Sequence, residues 1–153
     1  MNYDREVVFM FFSLFLSKNQ KQVRQWKEEH REIVALATAL LNSYDKGEKE
    51  DLKNILEELR VITFNHLMSE DAEFYRLLEE YKNKDSKTEL FIKEFEESFY
   101  GTKAALMHFL DDYTKKSLPI DDTFIKRFNE LVDILLKRIE FEESNLYSLL
   151  ESQ

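Results

Sequence analysis

The sequence predicts an all-α fold, an up-down-up-down four-helix bundle with a short extra apolar helix at the N-terminus. Three observations carry this. The 153 residues include only two glycines and one proline, too little punctuation for the turns of a many-stranded sheet. Charged residues make up 35%, as long solvated helices require, and thirteen phenylalanines supply much of a core. Four long stretches carry apolar residues at helical spacing, separated by short polar breaks. The length suits one domain with a real core.

Residues 1–18 form the first expected element, an apolar helical segment ahead of a bundle over residues 19–153. Val7-Val-Phe-Met-Phe-Phe-Ser-Leu-Phe-Leu16 is apolar nearly all round and too short to span a bilayer. Its flanks suit a secretory signal poorly: Asp4 and Glu6 precede it, and no small-residue cleavage site follows. Two roles fit, a cap on the bundle or an exposed patch that pairs two chains into a homodimer.

The first bundle helix is expected from about Asn19 to Tyr44, with His30, Ile33, Val34, Ala37, Leu40 and Leu41 at helical spacing, and Asp45-Lys-Gly47 ends it. The second runs from near Lys49 to about Lys82 on a stripe of Leu52, Ile55, Leu59, Ile62, His66, Glu70, Phe74 and Leu77. Asn83-Lys-Asp-Ser86 is a polar turn. The third runs from about Lys87 to Lys116 with Phe91, Phe95, Phe99, Thr102, Leu106 and Phe109 in line. Gly101 within it suggests a bend or a close backbone contact, since glycine there costs about 1 kcal/mol against alanine. Pro119 stops that helix, and Asp121 or Asp122 can cap the fourth, whose stripe is Phe124, Phe128, Leu131, Leu135, Arg138, Glu142 and Leu149.

Two of these stripes contain a repeat. His66-Leu-Met-Ser-Glu70-Asp71 and Arg138-Ile-Glu-Phe-Glu142-Glu143 each place a nitrogen side chain four residues before a glutamate, on one helix face. Each leads into an aromatic Leu/Tyr stretch, Phe74-Tyr75-Arg76-Leu77-Leu78 and Leu146-Tyr147-Ser148-Leu149-Leu150. Buried ionisable groups are costly unless paired or bound to metal.

Depth can be counted from the loops. His30 lies about 17 residues before the first turn and His66 about 19 after it, the same level at a rise of 1.5 Å per residue. Glu70 and His66 lie level with the stretch from Phe99 to Thr102 on the third helix, and Arg138 lies level with Tyr100. Polar or aromatic positions from all four helices converge on one layer. A His and Glu four residues apart, facing carboxylates from other helices, is how bundle cores hold iron or manganese.

The formal net charge of −9 argues against nucleic acid and favours a cation or a basic protein surface as partner. The absence of cysteine removes disulfides, zinc–thiolate sites and cysteine nucleophiles, and favours the cytoplasm. No phosphate loop or nucleophile motif is present, so no enzyme activity is expected. Glu142/Glu143 and Asp111/Asp112 are sequence neighbours that point apart, as solvated faces do. His108 lies about 12 Å along the axis from the layer and is expected to be structural or exposed. Trp26 is expected to pack, and Tyr75 and Tyr147 to close the bundle end beyond the layer.

Trp26-Lys-Glu-Glu-His30-Arg-Glu-Ile resembles the first-helix histidine segment of the hemerythrin-like HHE cation-binding domains. Asn65-His66-Leu-Met-Ser-Glu70-Asp71-Ala-Glu-Phe-Tyr75 is similar to that family's HL..ED..LYP signature, with Arg76 at the usual proline. Arg138-Ile-Glu-Phe-Glu142-Glu143-Ser-Asn-Leu-Tyr147 is similar to its fourth-helix H…E…LY segment, with Arg138 at the histidine. The likeness covers roughly residues 26–150. It implies metal ligands at His30, His66, Glu70 and Glu142 only, with Tyr100 and Arg138 as neighbours. The third-helix histidine, expected near Phe99 or Tyr100, is missing. This depleted set implies a sensing or regulatory protein rather than an oxygen carrier.

Two chemistries fit. In one, a single iron, manganese or zinc ion is held by the four ligands. In the other, no metal binds, and Arg138 pairs with Glu70 and Glu142 in a protein-interaction module. The Arg-x-x-x-Glu fourth helix is also similar to the Rsd/AlgQ anti-sigma regulators, which are helical bundles.

Overall fold

A computed structural model describes residues 16–152, and no strand occurs among them. The expectations for residues 1–18, an apolar helix and a dimer contact, lie almost wholly outside the described residues. Four long helices follow one another: α1 (Lys18–Lys46), α2 (Lys49–Tyr81), α3 (Ser86–Thr114) and α4 (Asp122–Phe141). A π turn (Glu142–Leu146) then carries α4 into a short last helix, α5 (Tyr147–Glu151).

Local chemistry sets the ends. Ser17 accepts from the Gln20 N–H while the Gln20 side chain bonds back to the Ser17 N–H, a reciprocal cap on α1. Gly47 ends α1 at φ 75°, a left-handed conformation that glycine adopts without a Cβ clash. Asp85 caps α3 and Asp121 caps α4 through side-chain oxygens. Short breaks between helices make sequential neighbours antiparallel.

The core is split in two. At one end Ile33, Leu40, Leu56, Phe109, Phe124 and Phe128 belong to one apolar cluster. At the other Val23, Trp26, Phe74, Ile92, Phe95 and Leu150 belong to a second. The α3–α4 seam is largely phenylalanine: Phe109 stacks on Phe124 at 5.4 Å and Phe95 on Phe141 at 5.1 Å. His30, His66, Glu70, Arg138 and Glu142, all buried, form a polar layer between α1, α2 and the α4–π-turn segment.

Two expectations are modified by the fold. Gly101 is exposed, and a Cβ there would meet nothing within 4 Å, so it marks no close contact. The fourth-helix stripe reaches Leu149, half-buried against the second apolar cluster, but not as its best-buried position. One extra residue in the π turn shifts the register, and Leu146, Tyr147 and Leu150 are buried instead. Gly101→Ala should therefore raise stability by about 1 kcal/mol, because alanine costs less to order in a helix. A denaturant midpoint that falls would show a backbone role for this glycine.

Candidate metal centre

Each member of the layer is placed by helix periodicity. His66 and Glu70 lie one turn apart on α2, and their side chains stack on its inner face. Arg138 and Glu142 repeat this where α4 meets the π turn. His30 reaches in from the middle of α1. One donor atom from each of His30, His66, Glu70 and Glu142 lies within 4.8 Å of the others, and the four residues are at most 4% exposed.

The histidines are oriented from outside. His66 Nδ1 donates to Glu29 Oε2 at 2.6 Å, and His30 Nδ1 donates to Glu143 Oε1 at 3.1 Å. An ionised carboxylate only accepts, so each Nδ1 carries a proton and each ring turns its Nε2 inward. His30 Nε2 lies 3.2 Å from Glu142 Oε2 and 3.5 Å from Glu70 Oε1. His66 Nε2 touches Glu70 Oε1. Once each Nε2 gives up its proton, nitrogen and oxygen lone pairs backed by carboxylates converge and fit a cation.

The carboxylates have a second side. Arg138 Nε donates to Glu142 Oε1, and Arg138 Nη2 donates to Glu70 Oε2 at 3.5 Å. Tyr147 Oη donates to Glu70 Oε1 at 2.7 Å and lies 3.2 Å from His30 Nε2. The π turn makes this possible: the Tyr147 N–H bonds the Glu142 carbonyl five residues back, which brings both side chains to the same inner face.

Burial and charge oppose each other here. Burial pulls the His30 imidazole down, but Glu142 and Glu70 outweigh it and hold the ring at about 10. His66 is likewise raised, since Glu70 and Glu29 overcome its burial. Burial would raise Glu70, but both histidines and Arg138 hold it well below the usual carboxylate range. Glu142 is raised by burial and by the negative charge of Glu70. Burial and both carboxylates push the Tyr147 phenol far up, so it remains a donor.

Of the residues singled out in the sequence, His30, His66, Glu70, Glu142 and Arg138 come together. Tyr100 does not: it is 74% exposed. Its depth was counted correctly, but it lies a helix step of about 100° around from Phe99, on the outer side. Phe99 is the residue of that level that meets Arg138, 5.1 Å from ring centroid to guanidinium. Tyr147 belongs to the layer rather than beyond it, while Tyr75 is exposed. Trp26 packs as expected, with its indole N–H on Ser69, and His108 is exposed. Glu143, expected on a solvated face, instead orients His30. Glu29 was missed because nothing in its spacing marks it.

A profile of the hemerythrin HHE cation binding domain matches residues 21–150. The chain belongs to this family. No curated protein and no solved structure matches it. This hemerythrin-like domain therefore carries a buried His/Glu group able to bind a metal, with Phe95 and Phe99 rather than ligands on α3.

Two outcomes follow for the protein held in chelator. The folded His30 pKa lies above the unfolded 6.5, so its contribution to stability is fully present below pH 6.5 and is lost as pH rises through about 10. The denaturant midpoint should fall across that window, and His30→Gln should flatten the fall; equal slopes in both proteins would contradict it. Tyr147→Phe leaves Glu70 short of a buried donor and should cost about 1–3 kcal/mol, read by the same unfolding curves.

Proposed function

We propose that this domain binds one cation through His30 Nε2, His66 Nε2, Glu70 and Glu142, and that it serves as a non-enzymatic sensing or regulatory protein. The observation that carries the proposal is the convergence of four buried donor atoms within 4.8 Å of one another. Carboxylates behind both Nδ1 atoms support it. Two imidazole nitrogens and carboxylate oxygens suit iron first, with manganese or zinc as alternatives. Such an ion would supply a dense positive charge and, if iron or manganese, a change of oxidation state. The chain's own residues hold the ligands: Glu29 and Glu143 orient the rings, and Tyr147 fixes Glu70.

A metal-free interaction module is the second reading. Arg138 contacts both buried carboxylates, which favours it, because a guanidinium and protons can balance the layer without a cation. The net charge of −9 then points to a basic protein partner.

Metal content of untagged protein, expressed with added iron and purified without chelator, separates the two. The expected result is about one iron, manganese or zinc per chain, lost in His66→Ala. Metal-free protein with an intact fold would leave the Arg138 network as the better account. A sensing role further requires that loading alter the exterior. Glu29 and Glu143 link the site to the surface, so amide hydrogen exchange around them should change on loading; identical exchange with and without cation would remove that role.

A further inference from the structure

The two buried glutamates each have two oxygens, and the fold divides them. Glu70 Oε1 and Glu142 Oε2 face the histidine Nε2 atoms. Glu70 Oε2 and Glu142 Oε1 face Arg138. Arg138 is only 3% exposed, and its guanidinium carbon lies 5.5 and 5.1 Å from the ring centroids of Phe95 and Phe99. Rings hold a guanidinium by their negative faces, and both rings come from α3, which also carries Glu96, whose negative charge favours the guanidinium. Arg138 Nη1 is buried and makes no hydrogen bond. A side chain kept only for hydrogen bonding would not need that third nitrogen, whereas a delocalised, permanently charged group brings it unavoidably.

We propose that Arg138 is a resident cation that limits the centre to one metal ion and sets how tightly that ion is held. The inference rests on the cation-site reading above. A fixed positive charge sharing both carboxylates with the ligand set does two things. It fills the far side of the carboxylates, so a second ion has no oxygens to take. It also repels the first, so the site binds more weakly than its four donors alone would allow. Even at an effective dielectric of about 20, a unit charge a few ångströms from a dication changes affinity by well over tenfold.

The test titrates apo protein with Mn²⁺ or Zn²⁺ against a chelating indicator and counts ions by native mass spectrometry. Four proteins are compared: wild type, Arg138→Lys, Arg138→Met and Arg138→Gln. Circular dichroism checks each fold. Gln keeps an N–H donor for a carboxylate without the charge, and carries the test should Met fail to fold. The expected result is one ion per chain in wild type, similar affinity in Arg138→Lys, and binding at least about tenfold tighter in the neutral variants. A purely structural arginine would give the opposite order, with neutral variants weaker. Two ions per wild-type chain, or neutral variants within twofold of wild type, would overturn the inference while leaving the cation site standing. An ion bound by the neutral variants but not by wild type would overturn the one-ion centre together with the proposed function. No ion in any of the four would overturn both.

Discussion

Everything in this bundle depends on neutralising two carboxylates that water does not reach. Glu70 and Glu142 are at most 1% exposed, and a lone buried carboxylate would take up a proton or unfold the protein. Arg138 supplies one permanent positive charge, and the histidines supply what remains, either as imidazolium or as ligands that bring in an ion. The helices are spaced and registered so that these groups meet, and the two apolar clusters on either side keep solvent from screening them. A buried ion pair adds little net stability, but removing one partner is severe. The layer is therefore a constraint that the rest of the sequence must satisfy.

Much of this was legible in the chain. The four-helix order, the ends of the first three helices to within two residues, and the meeting of His30, His66, Glu70 and Arg138 follow from periodicity and loop positions. Counting residues from a turn fixes height along an axis well, because the rise per residue varies little. It fixes direction around the axis less well. Tyr100 shows this: the height is right, but the direction belongs to Phe99. The π turn was not legible, since a single widened turn leaves no periodic signature, and with it went Tyr147. Glu29 and Glu143 were hidden for another reason. Each is a glutamate next to a buried residue, and nothing in a sequence separates one that bends inward from one that stays in water.

The family is one of cation-binding domains, and the buried layer of this chain has two unlike sides. One side is two imidazoles with carboxylate support. The other is a guanidinium against two phenylalanine rings. Both sides draw on the same two glutamates, so the chemistry available to any bound ion is tied to the arginine. The tyrosine adds a third tie, because its hydroxyl bonds the glutamate oxygen that faces both histidines.

The polar layer also fixes how the helices line up. Apolar stripes of Leu, Ile and Phe tolerate sliding, since one greasy side chain replaces another after a turn. A slip of one turn, about 5.4 Å, would set a buried charge against leucine or phenylalanine and leave its partner alone. Three chain segments carry charged or ionisable keys, and α3 carries the aromatic lock into which the arginine fits. The same residues that define the site thus act as an index notch, giving long and otherwise interchangeable rods one alignment.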